Sequence, residues 1–138
     1  MTIDTKKLFD YWRRESGYSW DVAKSLYQNK KYPECLFFCH LALEKILKGV
    51  VVAKTNKHAP YIHNLSRLLK LSKIPYTKKQ YEILSDMNNF HLAGRYEMTK
   101  IDFRKQTTLS ITAKYLNITK KFLLWLKKEA KKIMSQNQ

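Results

Sequence analysis

The segment Tyr32–Lys48 reads YPECLFFCHLALEKILK and continues as GVVVAK to Lys54, and this stretch decides the fold. Two apolar stripes run along it at helical spacing, one of them built from small residues. A helix that is apolar most of the way round lies at the centre of a bundle, so we expect a central helix over about Pro33–Lys54. Small residues allow close approach of another helix, either within the chain or across a dimer. The small stripe comprises Cys35, Cys39, Ala42, Ile46, Gly49 and Ala53, and the second comprises Leu36, Leu43 and Val50.

Four more helices are predicted around this central one. Their apolar or small residues recur at alternating steps of three and four, which is the spacing of one helix face. Asn64 and Thr77 precede the third and fourth helices and are suitable N-caps. The predicted ranges are about Asp4–Asn29, Leu65–Leu71, Lys78–Gly94 and Gln106–Met134.

The two long outer helices each carry one predicted core stripe. Sustained spacing of this kind predicts an all-α, antiparallel, up-and-down bundle of four to five helices. On the first helix the stripe comprises Leu8, Trp12, Ser16, Ser19, Ala23 and Leu26. On the last it comprises Leu109, Ala113, Leu116, Leu123, Leu126, Ala130 and Ile133.

The composition fits one helical domain. The chain has 138 residues, of which 44% are hydrophobic, and this is enough to build one core. Glycine and proline number three each, which argues against a hairpin-rich all-β fold. We therefore expect a single domain over residues 1–138, with its core at about 4–134 and a frayed tail at Ser135–Gln138.

The charge is strongly positive, with 27 Lys and Arg against 11 Asp and Glu and a formal net charge of +16. Such a charge favours polyanions such as RNA, DNA and nucleotides, or an acidic partner protein. A lysine-rich solvated surface explains it equally well. The last predicted helix has the best case for polyanion contact, because Tyr115, Phe122 and Trp125 interleave with its lysines. These polyanion-contact candidates are Lys120, Lys121, Lys127, Lys128, Lys131 and Lys132.

The cysteines and the N-terminus indicate a cytoplasmic protein. Cys35 and Cys39 lie four residues apart in an apolar segment without metal-ligand spacing, so we expect buried reduced thiols. The first residues lack the apolar region of a signal peptide, and no apolar run approaches the length of a membrane span.

Four sequence elements occur in an order that resembles the HEPN family. Ala42, Glu44, Lys45, Leu47 and Lys48 match the family's A-x-E-K-x-L-K run, and Tyr11-Trp12, His63-Asn64-Leu65 and Gly94-Arg95-Tyr96 match three further elements. The resemblance implies a helical bundle that is often a homodimer. It also implies pairing with a minimal nucleotidyltransferase, as is common in toxin–antitoxin-like systems.

Some members of that family are metal-independent RNases with an R-x(4–6)-H motif, and this sequence departs from it. No His follows an Arg at that distance, and the order is reversed in His91-Leu92-Ala93-Gly94-Arg95. We therefore expect a non-catalytic module that binds nucleotide, nucleic acid or a partner protein. The alternative is a divergent RNase that uses His91 and Arg95.

The candidate binding residues are taken from the second and fourth predicted helices. Asn88, His91 and Arg95 share one helix face, and an amide, an imidazole and a guanidinium together can bind a phosphate. They can equally bond neighbouring backbone and fix the following loop. Glu44 and Lys48 are spaced for an ion pair or for a polar network with Arg95. The nucleotide-binding or phosphate-binding set is Asn88, His91, Arg95, Tyr96, Lys48 and Glu44.

A metal site and a cofactor are not expected from the sequence. His40 precedes Glu44 by four residues, but two ligands without a third are weak support for a metal. His63 is assigned to the turn into the third helix and His58 to a loop.

Overall fold

Five α-helices make up the described part of the chain, which comprises residues 3–92, 105 and 107–136 of the computed structural model. No β-strand occurs among these residues, which confirms the all-α prediction. None of the described helices is long and apolar enough to cross a membrane. The helices are α1 (Thr5–Gln28), α2 (Tyr32–Thr55), α3 (Leu65–Ser72), α4 (Lys78–Leu92) and α5 (Leu109–Gln136).

Side-chain caps set where most of these helices begin. The side chain of Asn64 accepts a hydrogen bond from the backbone of Arg67, which confirms it as the N-cap of α3. Thr77 and Gln80 exchange two hydrogen bonds in a capping box at the start of α4. The hydroxyl of Thr108 accepts from the backbone of Ile111 and so starts α5.

Both ends of α5 differ from their predicted positions. Because of the Thr108 cap, α5 begins at Leu109 rather than Gln106, and it runs to Gln136, two residues beyond the predicted end. It therefore includes the first two residues of the predicted tail. The predicted end of the fourth helix at Gly94 lies outside the described residues.

The helix α2 is the central element, as predicted, and α1 packs along its small residues. The hydroxyl of Ser16 donates to the carbonyl oxygen of Ala42 at 2.7 Å. A Cβ added to Gly49 would lie 3.2 Å from the ring of Phe9 and 3.3 Å from Cβ of Trp12. The small-residue stripe thus serves a close contact between two helices of the same chain.

The core stripes of the outer helices differ from the prediction at a few positions. On α1 the buried residue of the first turns is Phe9, whereas Leu8 is only partly buried. On α5 Leu109 is 54% exposed, and Thr112 and Thr119 are buried instead. Each threonine hydroxyl donates to the carbonyl four residues earlier, so its burial leaves no unpaired donor.

The two cysteines are buried free thiols, as predicted. Cys39 interacts with Cys35 and with Thr119 of α5. The hydrogen bond with Cys35, followed by burial, raises the pKa of the Cys39 thiol well above its ordinary value. Cys39 therefore remains protonated and acts as a core residue.

Candidate functional site

Glu44 is the centre of a buried polar cluster on α2. Its side chain is 6% exposed, and its Oε2 accepts a hydrogen bond from Nζ of Lys48 at 3.0 Å. Lys48 is also buried, and its ammonium lies 5.4 Å from the ring centre of Trp12 on α1. The predicted ion pair therefore forms inside the bundle, where each charge depends on its partner.

His63 is a second partner of Glu44, although the sequence assigned it to a turn. Its Nδ1 lies 3.1 Å from Oε1 and 3.2 Å from Oε2 of the carboxylate. The cap of α3 by Asn64 fixes the chain immediately after His63 and so positions the imidazole over α2. The His63 side chain is 48% exposed, which makes it the part of the cluster that solvent reaches.

The imidazole of His91, in the last turn of α4, lies among three other rings. Its centroid is 4.5 Å from that of His63 and 5.1 Å from that of His40, with interplanar angles of 24° and 27°. The ring of Phe37 is also stacked against His91, with 6.1 Å between the two ring centroids. We refer to His40, His63 and His91 together with Glu44 as the histidine cluster.

His40 is the innermost member of the histidine cluster and is fully buried. Within the described part of the chain, neither of its ring nitrogens makes a hydrogen bond. Burial lowers the pKa of His40 to about 4, against the opposing effect of the Glu44 carboxylate. The charge of His91 lowers the pKa further, whereas His63 raises it through a backbone interaction and lowers it through its charge. The imidazole is therefore neutral near pH 7.

The donor atoms of His40, Glu44 and His91 all lie within 4.8 Å of one another. Imidazole nitrogens and carboxylate oxygens are ligands that transition-metal ions accept. The sequence indicated only the pair His40 and Glu44, because His91 belongs to a helix far along the chain. Its approach depends on how α4 crosses α2.

Asn88 acts at the start of α3, which is the structural alternative that the sequence left open. Its Oδ1 accepts from the backbone N–H of Leu65 at 2.7 Å, and its Nδ2 donates to Oδ1 of Asn64 at 3.1 Å. Both ends of the amide are thus engaged in holding α3 against α4. Two other predicted site residues, Arg95 and Tyr96, lie outside the described residues.

The lysines of α5 are exposed, as their pattern predicted, but the interleaved aromatic residues are not free to stack on bases. Phe122 is 9% exposed, and Tyr115 and Trp125 pack against the core. The six candidates Lys120, Lys121, Lys127, Lys128, Lys131 and Lys132 all face solvent.

A groove between α1 and α5 brings cationic side chains of both helices together. Lys6 and Arg13 of α1 and Lys127 and Lys131 of α5 line a cavity of about 300 Å³, and we call it the basic groove. Its lining also includes Phe9, Asp10 and Met134.

The contribution of α1 to this surface was missed from the sequence. Lys6 and Arg13 are spaced by seven residues, which places them on one helix face, and this was the available signal. Asp10 lies between them, 3.3 Å from Nζ of Lys6 and 3.9 Å from Nε of Arg13. Its carboxylate orients both cations and neutralises part of their charge.

A second cavity, of about 430 Å³, lies on another side of α1. The exposed ring of Tyr11 lines it together with Lys7, Arg14 and His58. An exposed aromatic ring between cationic side chains is an arrangement that can stack on a nucleobase and contact its phosphate.

Known proteins share this architecture. A model of the HEPN domain matches residues 9–130. The crystal structure of TT1696 from Thermus thermophilus superposes with a TM-score of 0.73 at 16% sequence identity, covering 88% of this chain and 97% of that one. At that identity the similarity concerns the fold. No curated protein sequence matches the chain significantly.

Proposed function

The chain belongs to the HEPN domain family, and from that premise we propose that it is a non-catalytic module that binds nucleic acid through the basic groove. The observation that carries the proposal is the convergence of four cationic side chains from two helices on one cavity. The net charge of +16 adds a long-range attraction for polyanions.

The basic groove suits phosphate contacts that do not depend on base sequence. Its lysines carry point charges on long side chains, and Arg13 offers a fork that can bind one phosphate with two hydrogen bonds. The Asp10 carboxylate repels phosphate at the centre of the groove. The nucleic-acid strand would therefore follow Lys127 and Lys131 on the α5 side. On another side of α1, the exposed ring of Tyr11 in the second cavity can stack on a base.

The test is binding of a fluorescently labelled single-stranded RNA, measured by anisotropy over a range of salt concentrations. In the double variant Lys127→Glu/Lys131→Glu we expect weaker binding and a salt slope smaller by about 0.7 for each lost phosphate contact. The matched control, Lys78→Glu/Lys79→Glu at the start of α4, changes the net charge equally. If the two double variants bind equally well, the basic groove is not the binding surface.

The same experiment, repeated with a mononucleotide as competitor, distinguishes nucleotide binding from nucleic-acid binding. A mononucleotide that competes with RNA at the basic groove would make the protein a nucleotide-binding module.

Homodimer formation and pairing with a minimal nucleotidyltransferase are further parts of the hypothesis, supported by the family resemblance. Size-exclusion chromatography with light scattering tests the first, and co-purification with the neighbouring gene product tests the second.

A second candidate function is metal-independent RNA cleavage with His91 and Arg95. The observation that favours it is that His91 lies against His63, whose ring is held by Glu44, because a carboxylate-oriented imidazole can act as a general base beside it. The test compares RNA cleavage by the wild type with that by His91→Ala and His63→Ala in EDTA. Equal cleavage by all three proteins, or none by the wild type, ends the enzyme hypothesis.

A further inference from the structure

The histidine cluster has the donor set of a transition-metal site. It offers three imidazoles and one carboxylate, taken from α2, α4 and the loop before α3. We propose that His40, Glu44 and His91 bind a divalent transition-metal ion such as Zn²⁺, with His63 completing the coordination. Nitrogen donors in this number favour Zn²⁺, Co²⁺ or Ni²⁺ over Mg²⁺ and Ca²⁺, which take oxygen ligands.

The distances place the donors close to a coordinating arrangement. Donor atoms of His40, Glu44 and His91 lie within 4.8 Å of one another, and Nδ1 of His40 is 3.8 Å from Oε1 of Glu44. Bonds of about 2.0–2.2 Å to a tetrahedral ion separate its ligand atoms by about 3.4 Å. The donor atoms therefore have to approach one another by up to about 1.4 Å.

Ring rotation supplies that contraction. The three imidazoles now stack face to face, whereas a coordinated imidazole points its nitrogen lone pair at the metal in the plane of the ring. His63 is half-exposed and has room to turn. Binding a metal would thus exchange the stacked arrangement for a coordinated one, with small side-chain movements on a fixed backbone.

The burial of His40 is an independent reason to expect a ligand at this place. Its side chain is fully buried, and in the described part of the chain neither ring nitrogen makes a hydrogen bond of good geometry, although the backbone of His63 lies near the ring. A buried polar group that lacks a good hydrogen bond destabilises the fold. A metal ion held by one of the two nitrogens would satisfy it.

Lys48 opposes the metal electrostatically without occupying its position. Its ammonium binds Oε2 of Glu44, while Oε1 is the oxygen nearest to His40. The lysine therefore stays outside the coordination sphere and hydrogen-bonds a ligand, as outer-shell groups do around metal sites. Its positive charge lowers the affinity of the site for a metal ion. Removing that charge should therefore raise the metal affinity.

The experiment titrates metal-free full-length protein with Zn²⁺ by calorimetry and with Co²⁺ by visible absorption, which reports coordination geometry. We expect one ion per chain in the wild type, and a loss of affinity of about 100-fold in His40→Ala and His91→Ala. The control is His58→Ala, because His58 lies in an exposed loop outside the cluster and should leave binding unchanged.

Two outcomes would overturn the proposal. One is the absence of stoichiometric binding to the wild type, and the other is wild-type affinity in folded His91→Ala. If circular dichroism shows that His40→Ala is unfolded, His63→Ala replaces it, because this half-exposed residue can be removed with little loss of packing. RNA binding through the basic groove involves none of these residues, so failure of one proposal leaves the other standing.

Discussion

Nδ1 of His63 lies 3.1 Å from Oε1 of Glu44, although the two residues are separated by 19 positions in the sequence. The contact closes the loop before α3 onto the middle of α2. It also gives Glu44 two cationic or polar neighbours, since Lys48 binds the other carboxylate oxygen at 3.0 Å. The buried carboxylate is therefore the group on which the loop, the central helix and the histidine cluster all depend.

Replacing Glu44 with glutamine should destabilise the fold strongly. Lys48 would remain buried without a counter-charge, and removal of one partner of a buried ion pair costs about 3 kcal/mol. The control is Glu15→Gln, because Glu15 is 41% exposed and lies 3.9 Å from Lys45, so its loss should cost less than about 1 kcal/mol. Urea unfolding measures both, and equal losses would mean that the buried pair contributes no more than the exposed one.

Stability should fall in mild acid because of His40. Its folded pKa of about 4 lies below the unfolded value of 6.5, so the unfolded chain takes up the proton first. The resulting stabilisation, about 3 kcal/mol, is complete above pH 6.5 and is lost as the pH falls from 6.5 towards 4.

The comparison that checks this uses His40→Leu in metal-free buffer. Glu44, Lys48, His63 and His91 surround the imidazole and are present in both proteins, so the difference between the two pH profiles reports the loss of His40. We expect a flatter profile between pH 4 and pH 6.5 in the variant. If the stabilities of the two proteins change with pH in parallel, His40 is not the cause of the loss of stability in acid.

Asn88 should prove to be a stability residue, although the sequence placed it in the phosphate-binding set. Alanine at this position removes the acceptor of the Leu65 backbone N–H and should cost about 1–2 kcal/mol. RNA affinity under folding conditions should not change. The neighbouring exposed residue gives the control, Asn89→Ala, which should affect neither property. A loss of RNA affinity in folded Asn88→Ala alone would restore the phosphate-binding assignment.

The sequence predicted the parts of the structure that depend on local spacing. Residues on one helix share a face, so the central position of α2 and the pairing of Glu44 with Lys48 followed from their register. Caps such as Asn64 and Thr77 are equally local. The burial of Thr112 and Thr119 was missed because both are polar, and only their hydrogen bonds to preceding carbonyls make it inexpensive.

The site itself depends on contacts between distant parts of the chain. His91 reaches His40 only because α4 crosses α2, and Lys6 meets Lys131 only because α1 and α5 lie side by side. Periodicity indicates which face of a helix is buried, but it does not indicate which two helices will meet. The candidate residues were therefore partly identified, whereas their grouping into a histidine cluster and a basic groove was not.

Two glycines should respond to alanine with opposite signs. At Gly17 the added Cβ meets nothing within 4 Å, so better helix propensity should stabilise the protein by up to about 1 kcal/mol. At Gly49 the Cβ would lie 3.3 Å from Cβ of Trp12, which cannot move without displacing α1. We expect Gly49→Ala to destabilise by about 1–2 kcal/mol in urea unfolding. Equal stabilisation by both substitutions would show that α1 and α2 are not closely packed.

Replacing Lys48 with methionine should tighten metal binding while weakening the metal-free protein. The substitution removes a buried cation beside the proposed ligands and leaves the Glu44 carboxylate without its ion-pair partner. Without metal, that uncompensated charge lowers the free energy of unfolding. With Zn²⁺ bound, the carboxylate regains a positive partner, and we expect affinity to rise on the order of tenfold. Thermal unfolding with and without Zn²⁺ measures both effects, and Lys45→Met, which removes a lysine bound to Ser19 on α1, is the control. If Zn²⁺ stabilises Lys48→Met no more than it stabilises the control, the ion does not bind at Glu44.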